Sequence, residues 1–201
     1  TGTNVLTAGQ SCTFGVNFAP TTVSAKSANI AVASNAPAAS LPLTGTGTVP
    51  IATPSTGAVP FGDQRVGMTS AVQSMTLSNT GLAALSLATV ALGGTNPTQF
   101  AIAAGTTCTN GSTINPGASC LTNLTFTPAT TGAKSATLTF TDDSNGVAGS
   151  TQVVNLTGNG VVPNTGIVPA GPINFGNQPI NTTGAATTFT VTNTGGATLN
   201  I

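Results

Sequence analysis

The sequence predicts an all-β fold, made of Ig-like β-sandwich modules of about 110 residues arranged as a half, a whole and a half. Three observations predict it. Apolar residues alternate with polar ones at a period of two, never 3.6. Clusters rich in Asn, Asp, Gly and Pro separate those runs at hairpin distances. The whole pattern also recurs along the chain, the signature of a repeat architecture.

In chain order, residues 1–49 read as the C-terminal half of a module, with half-buried strands carrying Val16 and Phe18, Ile30 and Val32, and Leu41 and Leu43. Residues 50–161 read as a complete module. Its strands carry Met75 and Leu77, Leu85 and Leu87, Leu124 and Phe126, Leu138 and Phe140, and Val154 and Leu156. About seven short strands are expected there, with no helical stretch. Residues 162–201 read as the N-terminal half of a further module, carrying Phe189 and Val191, then Leu199 and Ile201. The phase comes from repeated words. Phe61-Gly62-Asp63-Gln64 returns 114 positions later as Phe175-Gly176-Asn177-Gln178, and Ser78-Asn79-Thr80-Gly81 as Thr192-Asn193-Thr194-Gly195. Ala25-Lys26-Ser27-Ala28 returns as Ala133-Lys134-Ser135-Ala136 at an offset of 108, and Leu43-Thr44-Gly45 as Leu156-Thr157-Gly158 at 113. A hairpin longer by five residues in the second copy accounts for the difference. The pairs Val49-Pro50 and Val162-Pro163 mark equivalent junctions, each followed by a short Pro/Thr/Gly linker.

Composition narrows function. Of 201 residues, three are Lys or Arg, three are Asp, and there is no His, so the formal net charge is zero. Lys26, Arg65 and Lys134 cannot make the basic footprint of a nucleic-acid binder. Asp63, Asp142 and Asp143 are the only carboxylates available for acid–base work, and a Ser or Thr nucleophile has no His to activate it. Trp and Tyr, the usual stacking platforms, are absent. The expectation is therefore no enzyme, no cofactor and no nucleic-acid partner. Thr1 opens into polar sequence without a signal-peptide pattern, and no run of about 18 apolar residues occurs, so no membrane-spanning segment is expected. A surface of hydroxyls and amides does little to keep copies apart, which favours self-association or glycan decoration.

The turn and core words resemble a known family. Phe-Gly-x-Gln near the first strand, the Asn-Thr-Gly turn, Pro-Gly-Ala-Ser-Cys at 116–120, Phe-Thr-Pro at 126–128, Gly-Ala-Lys-Ser-Ala at 132–136 and Leu-Thr-Gly-Asn-Gly at 156–160 are similar to those of ASPM/SPD-2/Hydin (ASH) Ig-like domains. The resemblance covers the complete unit and both halves. It implies scaffolding or interaction, often in tandem arrays of large secreted or surface proteins of bacteria, and carries no catalytic residues.

Cys108 and Cys120 bracket an eleven-residue loop and predict a disulfide, hence an oxidising, extracellular or cell-surface setting. Free buried thiols and a metal site are the alternatives, although two thiolates without His leave zinc short of ligands. Cys12 aligns with Cys120, which puts its expected partner immediately before Thr1. Cys12 is thus unpaired here, and the 201 residues read as a stretch of a longer tandem array. Two alternatives stand beside that reading: a subunit whose half-modules complete each other between neighbours, and a Cys12-linked pair of chains.

Other motifs have plain readings. Asp142-Asp143-Ser144-Asn145-Gly146 offers oxygen ligands but lacks EF-hand spacing, so a solvated hairpin is expected. Lys26 and Lys134 invite an isopeptide bond, yet without a Glu to shuttle protons they read as exposed charges that guard strand edges. Asn110 and Asn181 head N-glycosylation patterns in loops, whereas Asn123 and Asn155 head them within strands. The functional expectation is a structural repeat segment of an extracellular fibre, stalk or filament whose partner is itself. The alternative is an adhesin-type module that recognises a host, matrix or glycan partner.

Overall fold

A computed structural model describes residues 5–201 and is all-β apart from two short 3-10 turns. It comprises two compact units, Thr1–Val49 and Pro50–Ile201. In the first, β1 (Ser24–Val32) and β2 (Ala39–Gly47) form an antiparallel hairpin that sets Ile30 opposite Leu41 and Ala28 opposite Leu43. These are the only paired strands among the described residues of that unit. Val16 and Phe18 alternate as a strand should, but no neighbour offers them a hydrogen-bond ladder, and the segment is not a strand.

The second unit begins with β3 (Ala52–Pro54), β4 (Ala58–Arg65), β5 (Gln73–Asn79) and β6 (Leu85–Gly93). A 3-10 turn at Pro97–Gln99 leads into β7 (Phe100–Ile102), then β8 (Thr113–Ile114), β9 (Ser119–Phe126) and β10 (Gly132–Asp142). A second 3-10 turn at Ser144–Gly146 precedes β11 (Ser150–Val161), and the hairpin β12 (Thr165–Val168) and β13 (Thr190–Asn193) follows. One sheet has the order β4-β11-β10-β6-β8, and the other β3-β5-β9-β7. All their pairings are antiparallel except β11 with β4. Residues 50–161 thus hold nine strands rather than about seven. The additional ones are two- and three-residue edge pieces too short to show an alternation.

The two sheets bury one core. Leu85, Leu87, Leu138, Phe140, Val154 and Leu156 face it from the five-stranded sheet, and Met75, Leu77, Phe100, Leu124 and Phe126 from the four-stranded one. Every apolar pair read from the sequence of 50–161 is in this set. Phe100 stacks on Phe126 with centroids 4.8 Å apart, and Phe61 leans on both at 5.7 and 5.8 Å. Each fully buried side chain of this size contributes about 1.5–3 kcal/mol. Gly158 stands over Phe126, where a Cβ would collide with the ring, so the β11 backbone and the aromatic layer are in direct contact.

Candidate functional site

The titratable side chains do not converge, and among the described residues no three metal-ligating side chains come together. Asp63 accepts from the Asn159 amide at 2.8 Å and joins β4 to β11. Asp143 Oδ1 accepts from the Ser86 backbone N–H at 2.8 Å. Asp142 corrects the expectation of a solvated hairpin, because it is 1% exposed. Its Oδ1 accepts from Ser144 N–H at 2.9 Å, while its Oδ2 has no hydrogen-bond partner. Burial raises its pKa above the ordinary carboxylate value, the Ser144 N–H opposes that rise, and the charge on Asp143 adds to it. The burial has a long-range cause. Ser144 Oγ accepts from Ala52 N–H at 3.0 Å, and Asn145 N–H donates to Pro50 at 2.8 Å. The hairpin is therefore latched onto the first residues of its own module.

The lysines are half-buried rather than fully exposed. Lys134 lies on β10, an inner strand between β11 and β6, and its half-buried chain ends with Nζ donating to Thr131 C=O at 2.9 Å. It guards no edge. Lys26 folds back onto the Thr22 and Ser24 hydroxyls at 2.5 and 2.6 Å. Cys108 and Cys120 form a disulfide with a Cα–Cα distance of 5.0 Å, which ties the β7–β8 loop to β9. Cys12 is a free, exposed thiol. Asn110 is exposed and accepts from Val90 N–H at 2.7 Å. Asn181 is exposed with φ of 63°, a left-handed conformation that Asn tolerates.

Sequence reading took Asn79 for a turn residue and missed its main role. Its side chain is fully buried and saturated. Oδ1 accepts from Ile51 N–H at 3.2 Å and Gly81 N–H at 3.0 Å, while Nδ2 donates to Ala83 C=O at 2.8 Å and Ile114 C=O at 2.9 Å. Asn193 repeats three of these bonds, with Gly195 and Asn164 as donors and Ala197 as acceptor. The signal that could have found it was the return of Asn in both Asn-Thr-Gly words.

Repetition of local geometry extends to the hairpins. Lys26 sits opposite Gly45 as Lys134 sits opposite Gly158, and Ala28 opposite Leu43 as Ala136 opposite Leu156. Gly45 backs onto the Phe18 ring as Gly158 backs onto Phe126. Burial, in contrast, is not repeated. Val16, Phe18, Leu41, Phe175, Phe189 and Val191 are exposed, although their counterparts in the complete sandwich pack into or against its core.

Comparison with known proteins agrees with the architecture. The family model described as "Abnormal spindle-like microcephaly-assoc'd, ASPM-SPD-2-Hydin" (ASH) matches residues 48–148. The fold is that of a β-sandwich module, and the chain belongs to the ASH family. Among solved structures, the VesB protease of Vibrio cholerae is 15% identical with a TM-score of 0.42, over 54% of this chain and 31% of that one. A Porphyromonas gingivalis protein of unknown function is 14% identical with a TM-score of 0.44, over 69% and 67%. An ASH/PapD-like domain of human CEP192 is 14% identical with a TM-score of 0.37, over 56% and 86%. No curated protein sequence matches the chain.

Proposed function

We propose that this chain is a structural repeat segment of an extracellular fibre, stalk or filament built from tandem Ig-like modules. The observation that carries the reading is the return of the same hairpin register and the same Asn-centred turn on either side of the complete sandwich. Modules joined by short linkers make a nearly one-dimensional object. The disulfide supports an oxidising location outside the cytosol. A structural role rather than catalysis is supported by the occupation of each carboxylate: Asp63 and Asp143 brace strands, and Asp142 is enclosed within its hairpin. Electron microscopy of the native protein at the cell surface tests the proposal. Modules repeating along a persistent axis are expected. Flexible isolated beads would overturn it, and solid-phase capture of a matrix protein or glycan by such beads would favour the adhesin reading.

A further inference from the structure

The outer face of the five-stranded sheet holds a side chain ready for modification. Between Ser135 and Thr141 on β10, and between Thr151 and Thr157 on β11, the outward residues are Thr or Ser except for Val153 and Asn155. Asn155-Leu156-Thr157 is one of four N-glycosylation patterns in the chain, and the structure separates them. Asn123 is already engaged: its Nδ2 donates to Ala104 C=O at 2.9 Å, and its Oδ1 accepts from Ser74 Oγ at 2.7 Å. Asn110 Oδ1 holds Val90 N–H at 2.7 Å, and Ser112 Oγ of the same pattern donates to Thr109 C=O at 2.7 Å. Asn181 is exposed but stands in a left-handed turn, with Thr182 Oγ1 donating to Pro179 C=O at 2.8 Å. Asn155 is exposed on a strand whose ladder holds it from both sides. Its backbone N–H donates to Gly57 C=O at 2.9 Å, while its side-chain amide bonds to none of the described residues. We propose that Asn155 carries an N-linked glycan whose first sugars lie in the groove beside it.

That groove measures about 370 Å³ and is lined by Gly94, Thr95, Ser135, Thr137, Asn155 and Thr157. The ladder fixes its floor, setting Thr137 opposite Asn155 and Ser135 opposite Thr157. Asn96 fixes its wall: its Oδ1 accepts from Ser135 N–H at 3.1 Å, and its N–H donates to Ser135 C=O at 2.8 Å. The hydroxyls of Thr95, Ser135, Thr137 and Thr157 have no partner among the described residues, so they are free to donate to and accept from sugar hydroxyls. No lining residue is charged, so seating a neutral sugar strips no ion of its water. Residues two apart on a strand share a side, which keeps the Thr157 hydroxyl beside the Asn155 amide. Transfer takes an activated sugar phosphate and a separate glycosyltransferase. The bond from the anomeric carbon to the phosphate oxygen breaks, and the phosphate leaves with the electron pair. Asn155 Nδ2 bonds to that carbon and releases one proton. On a surface with so few ions, the glycan supplies hydration that charge would otherwise provide. This inference rests on the extracellular part of the reading above and adds the modification.

Mass-spectrometric mapping of the protein isolated from its native source tests the proposal. Enzymatic release of N-glycans in heavy-oxygen water should leave a labelled aspartate at position 155. Thr157→Ala should abolish the modification and Thr157→Ser should keep it, and unchanged far-ultraviolet circular dichroism would show that both variants fold. Seating is read from the rate of glycan release on the folded protein. Ser135→Ala combined with Thr137→Val removes two hydroxyl contacts and should speed release about tenfold. An unmodified Asn155 in the native protein would overturn the proposal, as would a sugar that persists in Thr157→Ala. Equal release rates from wild type and the double variant would contradict the seating in the groove. A bare Asn155 in native fibres with a persistent axis would remove the glycan and leave the fibre reading standing.

Discussion

Gly158 and Gly45 occupy equivalent places, yet their substitution should cost very different amounts. A Cβ at Gly158 meets the Phe126 ring, which is fully buried and has nowhere to go, so Gly158→Ala should destabilise the sandwich by about 1–3 kcal/mol. At Gly45 the added Cβ would lie 2.8 Å from the Phe18 ring, which is half-exposed and free to turn aside. Gly45→Ala should therefore leave the urea midpoint of the dilute chain nearly unchanged. Asn79 gives a second contrast. Asn79→Ala strands two backbone N–H and two C=O groups in the interior and should cost about 3 kcal/mol, whereas Asn193→Ala frees groups that water reaches and should cost well under 1 kcal/mol. Asp142 governs the pH response. Its folded pKa is raised, so the folded state holds a proton more tightly than the unfolded one, and stability is lost as pH rises from the ordinary carboxylate value through the raised one. Chemical denaturation at pH 4 should thus find the chain at least as stable as at pH 7. Asp142→Asn should flatten the profile, because few other groups can titrate. A midpoint that falls on acidification would contradict this account.

At the scale of elements, the strands of the complete module were legible because an alternating face must go somewhere, and two sheets gave it a place. The same alternation misled at Val16 and Phe18. A strand is a property of a pair, and the sequence of one segment does not say whether its partner is at hand. The Asp142–Asp143 hairpin misled for a related reason. Adjacent carboxylates favour water locally, and long-range contacts with the start of the module, Ser144 with Ala52 and Asn145 with Pro50, accompany the burial of Asp142. The cysteine spacing was readable because twelve residues close a short loop, and the structure shows the Cα atoms 5.0 Å apart. That link holds the β7–β8 loop, which makes few ladder bonds of its own, against β9. Reduction, or Cys108→Ala paired with Cys120→Ala, should lower stability by about 2–3 kcal/mol in the chain-entropy picture. A calorimetric scan should show a fall in Tm of about 10 °C. An unchanged Tm would mean that the loop is held by packing alone.

For the whole molecule, stability should be concentrated where both halves of the sandwich are present. The buried apolar cluster lies entirely between Val59 and Leu156. Outside it, β1 with β2 and β12 with β13 are two-stranded sheets, and such hairpins are at best marginally stable in water. Native-state hydrogen exchange on a dilute sample should therefore find the slowest amides in β5, β9, β10 and β11, opening only with global unfolding. Those of Ser24–Gly47 and Thr165–Asn193 should exchange through local opening orders of magnitude faster. The repeat makes the contrast informative, because Ile30 and Leu138 share a strand position, a hairpin register and similar chemistry, and differ in whether an opposing sheet covers them. Equal protection of Ile30 and Leu138 in the dilute sample would mean that the hairpin is stable without a covering layer, and that the opposing sheet is not what stabilises this fold.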